Sequence, residues 1–204
     1  MAKLDPKRTV ALRKEPSQRR SVATVGIILD AAAHILEEHG LGGYTTNSIA
    51  ERAGVSIGSC YQYFPSKEAI AVALASRETA QISRGLEVAR EADSWEEGIE
   101  LAIAAAVAHQ LRRPRLALQL DLAEDVLMLG AEHASVQAQA QVVITTLLGL
   151  GDAPAVTDVE QASRDLVAIA HGMIDGAGRH GETDAELLGR RVRQAISGYL
   201  VACG

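Results

Sequence analysis

Aromatic side chains are scarce in this 204-residue chain, which holds one Trp, four Tyr and one Phe. With so few aromatics and little β-branched alternation, a sheet-built fold is disfavoured. Abundant Ala, Leu, Glu, Gln and Arg, with only five Pro, favour helix almost throughout. Cysteine is equally sparse: Cys60 and Cys203 stand alone without a CxxC, which excludes a disulfide framework. No secretory apolar segment follows Met1, and no window approaches about eighteen uninterrupted apolar residues, so a reduced, cytoplasmic protein without a membrane span is expected. His109, His133, His171 and His180 form no metal-binding spacing, so neither metal nor cofactor is expected. A phosphate loop, a nucleophile elbow and HExxH are all missing, which argues against an enzyme.

What is present is uneven. Net charge is −6 overall, yet residues 1–68 carry nine Lys/Arg against seven Asp/Glu, leaving the acidic excess to the remainder. Phosphate would attract the first part and repel the second. Four of the six aromatics, Tyr44, Tyr61, Tyr63 and Phe64, crowd into the same part, marking it as a distinct module.

Residues 1–20, with seven Lys/Arg, Pro6 and Pro16, read as a flexible basic arm. A helical stripe then runs through Val22, Val25, Ile28, Leu29, Ala32, Ile35 and Leu36 and stops near Gly40. Thr45-Thr46 opens a short helix that Gly54 ends, and a second runs from Ser56 to Phe64 before Pro65-Ser66. Two helices this short need each other and the first helix to be stable. About six longer helices follow, with breaks near Asp93, Arg113, Gly130, Gly151 and Gly181, making about nine in all. Helix starts of the form S/T-x-x-E occur at Ser94, Thr157 and Thr183.

In the short pair, Ile49, Ala50, Ala53, Val55, Cys60 and Phe64 are spaced to share a core with the first helix, and Gly54 permits a tight turn between the two. The opposite face of the second short helix presents small or hydrogen-bonding groups suited to a DNA major groove: Ser56, Ile57, Ser59, Gln62 and Tyr63, with Gly58 removing bulk. The whole segment, TTNSIAERAGVSIGSCYQYFPSKE over residues 45–68, resembles the DNA-binding signature of the TetR family of transcriptional regulators.

That resemblance implies an all-α fold: a helix-turn-helix domain over residues 21–66 and a helical ligand-binding and dimerisation domain over residues 67–204. It implies a homodimeric regulator, most often a repressor, that binds a palindromic operator and leaves it on binding a small effector. Thr46, Tyr61, Tyr63 and Lys67 would hold phosphates. Asn47, Ile57, Ser59 and Gln62 would meet base edges, Gln or Asn pairing with adenine and Ile57 meeting a thymine methyl. Asn47 stands where some relatives carry Arg, and Cys60 where many carry Leu.

In the second part, Pro114 to Met128 reads as one central helix, apolar on two sides, with Asp121, Glu124 and Asp125 as a polar stripe. That stripe is either a solvated edge paired with Arg112, Arg113 and Arg115 or a buried acidic lining. Leu118, Asp121, Leu122, Met128 and Met173 are the candidate ligand contacts, lining an aliphatic pocket. Ala168, Gly172 and Gly176, four apart, together with Leu188, Val192, Ile196 and Tyr199, form the candidate dimer interface. A DNA-binding regulator without a small-molecule ligand, governed by a protein partner or by oxidation of Cys60, is the competing reading.

Overall fold

The computed structural model describes residues 19–203, and among them every regular element is an α-helix. The expected basic arm lies outside the described residues, apart from Arg19 and Arg20 in the first turn of α1. The chain divides into two compact units. One ends at Arg77 and takes in Gln119–Gly130, and the other comprises Glu78–Leu118 and the residues from Ala131 onward.

In the first unit, α1 (Arg19–Gly43) buries Ile28, Leu29, Ala32, Ile35 and Leu36, the expected stripe, whereas Val22 is exposed. Gly40 sits at φ 58°, ψ −160°, a conformation a side chain would resist, and it breaks the helix where the sequence indicated. Next, α2 (Thr46–Ala53) starts from Thr45, whose hydroxyl accepts from the Ser48 amide at 3.1 Å while the Thr45 amide donates to the Ser48 hydroxyl. It ends at Gly54 in the left-handed region (φ 66°). Ser56 then caps α3 (Ile57–Tyr63), its hydroxyl accepting from the Ser59 amide at 3.0 Å. The interior of this unit is completed by Tyr44, Ile49, Cys60 and Phe64, all fully buried, and by Ile70 and Leu74 from α4 (Lys67–Arg90). Arg77 pairs with Asp30 at 2.7 Å, and Arg52 with Glu38 at 3.0 Å.

The same unit holds the main departure from the sequence reading. Residues 114–128 are not one helix: α6 (Pro114–Leu122) stops, and a single turn, α7 (Glu124–Leu127), follows. Met128 closes that turn in the left-handed region at φ 61°, the one positive-φ residue other than glycine among those described. Among the described residues this division makes ten helices instead of about nine. Leu122, Val126 and Met128 are mostly exposed, so this stretch is not the central helix, apolar on two sides, that was expected.

In the second unit, α5 (Trp95–Arg112), α9 (Val159–Arg179) and α10 (Ala185–Cys203) pack against one another, and α8 (Gly130–Leu148) contributes Val143, Ile144 and Leu147 to their common core. Ser94 caps α5 as expected. The other two starts lie one residue later than the sequence suggested: Asp158, not Thr157, accepts from the Gln161 amide, and Asp184, not Thr183, from the Leu187 amide, each at 2.9 Å. A carboxylate beside the hydroxyl residue is the stronger acceptor for a helix N-terminus, and its charge complements the helix dipole. No helix among the described residues is long and apolar enough to cross a membrane.

Candidate nucleic-acid interface and ligand cavity

In the first unit, the burial pattern separates the two faces of α3. Cys60 and the cap residue Phe64 are fully buried, while Ser56, Ile57, Gly58, Tyr61 and Gln62 are exposed, and Ser59 and Tyr63 are half-buried. From α2, Asn47 is exposed and Thr46 half-exposed, and Lys67 lies half-exposed at the start of α4. All ten residues expected at DNA therefore reach the surface of one compact unit. Tyr61 is exposed, and Tyr44 joins Phe64 as the aromatic core. Burial pushes the Cys60 thiol above its ordinary range, so the reactive thiolate is suppressed.

The second unit encloses a cavity of about 120 Å³ between α4, α5, α8, α9 and α10. Most of its wall is aliphatic: Ile82, Leu86, Ile99, Ile103, Ile144, Leu166, Ile174 and Ile196. Its polar groups are His109, Gln110, Gln137, His171 and Asp175. None of Leu118, Asp121, Leu122, Met128 and Met173 lines it. The broken helix bears on three of these: Leu122 and Met128 face solvent, and Asp121 no longer shares one continuous helical stripe with Glu124 and Asp125. Met173 packs against the core beside the cavity. Neither account of that stripe extends to Arg112, whose partner is the buried Glu78.

His109 and His171 are the cavity histidines, among the four whose spacing fits no metal site. Burial, reinforced by the Arg112 guanidinium, holds the His109 imidazole below the ordinary histidine range against the opposing influence of Glu78 and Asp175. Asp175 pairs with His171 at 3.2 Å. Among the described residues no group of His, Cys, Asp and Glu is arranged to hold a metal ion.

The expected dimer residues divide. Leu188, Val192 and Ile196 are buried in the core of their own chain, together with Leu200 at the next turn, and are not available to a partner. Tyr199 is half-buried and donates its hydroxyl to Asp165 at 2.6 Å. Ala168 and Gly172 are exposed on α9, Gly176 is half-exposed, and space is open around both glycines.

Residues 28–74, which hold this capped helix pair, match the family model described as bacterial regulatory proteins, tetR family. An uncharacterised helix-turn-helix-type transcriptional regulator of Mycobacterium tuberculosis is 30% identical over 165 residues, covering 80% of each chain. The chain belongs to the TetR family of transcriptional regulators. Solved structures carry the same fold across nearly the whole length. A transcriptional regulator from Pseudomonas aeruginosa superposes with a TM-score of 0.73 at 22% identity, covering 93% of both chains. The regulator FadR from Bacillus subtilis, in complex with stearoyl-CoA, does so with a TM-score of 0.71 at 22% identity, covering 84% of this chain and 96% of its own. The DNA-binding helix-turn-helix is thus the part of this TetR-family regulator with the most specific match, and the second unit shares the architecture.

Proposed function

We propose that this TetR-family chain acts as a homodimeric repressor that binds a palindromic operator through α3 and is released by a small, largely apolar effector held in the second unit. The observation that carries the DNA half is the division of α3 into a sealed face and a polar, groove-sized face. Asn47, Ile57, Ser59 and Gln62 then read bases, and Thr46, Ser56, Gly58, Tyr61, Tyr63 and Lys67 hold or approach the backbone. The aliphatic cavity supports the effector half over control by a partner protein, and the known complex of a FadR of this fold with stearoyl-CoA points the same way. Control by oxidation is disfavoured by full burial of Cys60.

Dimerisation is assigned to the open Ala168, Gly172 and Gly176 face of α9, where a second backbone can approach closely, with the outward side of α10 bearing Leu187 and Val201. Two recognition helices must reach half-sites roughly 34–36 Å apart, one turn of DNA. By linkage, effector and operator weaken each other's binding by the same factor.

Selection of bound fragments from genomic DNA, with and without candidate effectors, tests the proposal. A palindrome should emerge, and Gln62→Ala should cost about 1–3 kcal/mol of operator affinity and relax the preference at one position of each half-site. Binding that shows no sequence preference and only falls with salt would overturn it.

A further inference from the structure

The polar residues that α5 and α9 bring to the cavity wall all come from the C-terminal parts of those helices. Along α5 the wall changes from Ile99, Ala102, Ile103 and Ala106 to His109 and Gln110, and α9 brings Asp175 close enough for its charge to act on His109. Gln110 is almost wholly buried. His109 offers one nitrogen to the backbone carbonyl of Glu78. Its Nδ1 is buried and has no hydrogen-bond partner. The bonded nitrogen, Nε2, must carry the proton, because a carbonyl only accepts; Nδ1 is therefore left as an unused acceptor. No Lys or Arg lines the cavity, and the one carboxylate there, Asp175, is paired only with His171.

Resting on the reading of this cavity as the effector site, we infer that the effector is an electrically neutral, short aliphatic molecule carrying a hydroxyl or amide N–H that donates to His109 Nδ1. An anionic head would sit beside His109 with no Lys or Arg in the wall and with Asp175 nearby, and the Arg112 guanidinium that acts on His109 is already paired with the buried Glu78, so its burial lacks a counter-charge of its own. A neutral donor satisfies the orphaned acceptor and leaves its aliphatic body against Ile82, Leu86 and Ile144. In size, the cavity is comparable with an engineered apolar cavity of roughly 150 Å³ that binds benzene, so a body of about six carbons is the appropriate probe.

The test is a calorimetric or NMR titration of the full chain with 1-hexanol, hexanoate and hexane. The alcohol should bind at least roughly a hundredfold more tightly than the carboxylate. In His109→Phe, the ratio of alcohol to hexane affinity should fall roughly fivefold, the loss of one hydrogen bond, while hexane itself still binds. Hexanoate binding as well as hexanol, or an unchanged ratio in His109→Phe, overturns this inference and leaves the apolar site standing. Failure of all three probes to bind overturns the effector site itself. The alcohol-to-carboxylate comparison needs no variant and holds even if His109→Phe does not fold.

Discussion

Replacing Tyr44 by Phe should stabilise the reading head, although it deletes a polar group from a fully buried residue. The ring of Tyr44 is inaccessible between α1 and α2, and its hydroxyl has no hydrogen-bonding partner among the described residues. Desolvation, with a smaller contribution from the charge of Glu68, raises the phenol far above its ordinary range, so it stays protonated and uncharged. An unpartnered buried hydroxyl costs about 1–3 kcal/mol relative to its hydrated state. Phe keeps every ring carbon and opens no cavity beyond the volume of one oxygen, so most of that cost is recovered. The expected gain is about 1–2 kcal/mol. Trp95 belongs to the second unit and would not report on it, so the assay is native-state hydrogen exchange of the amides of residues 28–36 and 70–74. Their opening should become about 5- to 30-fold rarer, while amides of residues 99–107 exchange as before. A loss of 1 kcal/mol or more would refute the reasoning, since it would mean that the hydroxyl is bonded, to Glu68 or to a trapped water. In either case operator affinity should be unchanged, because Tyr44 does not reach the surface.

Gly98→Ala tests the packing of the second unit: the new Cβ would lie 2.3 Å from Leu147 Cδ2 and 2.8 Å from Cδ1, and Leu147 is itself fully buried. Overpacking of about 1–3 kcal/mol should outweigh a helix-propensity gain of about 1 kcal/mol, and a higher denaturation midpoint by Trp95 fluorescence would contradict this. Cys60, in a Cys203→Ser background, should react with a maleimide roughly a hundredfold more slowly in the native chain than in the unfolded one. Its folded pKa lies above the unfolded value, so the associated stability is present below the ordinary thiol pKa and is lost as pH rises through the folded one. Rapid labelling at neutral pH would revive control by oxidation. Asp165 is held below the ordinary carboxylate range first by the Tyr199 hydroxyl and then by Gln161, so its contribution is present above that range and is lost as pH falls through the folded value. Tyr199→Phe should move the Asp165 titration upward by NMR, and an unmoved titration would show that the hydrogen bond is not made in solution.

The reading head was legible because its determinants are local. Caps at Thr45 and Ser56, positive φ at Gly40 and Gly54, and the spacing of Ile49, Cys60 and Phe64 each depend on neighbours a few residues away. The second part depends on information that periodicity does not carry. An apolar stripe states that a face is buried, but not by what: Leu188, Val192 and Ile196 read equally well as a dimer face or as core, and they are core. The helix break at Ala123 had no warning from glycine or proline, since the turn closes on Met128 in a conformation that costs a side chain about 1–2 kcal/mol. The contacts expected from a continuous helix, Leu118, Asp121, Leu122 and Met128, lie off the cavity wall. A usable signal did exist elsewhere. Ile99, Ala102, Ile103 and Ala106 form an apolar stripe whose next position is Gln110, with His109 beside it. A polar residue on a stripe that must be buried has to find a partner, and where the chain leaves an acceptor such as His109 Nδ1 unpaired, a ligand is the natural donor. That interruption of the α5 stripe, not the apolar run after Pro114, is the mark of the cavity in the sequence.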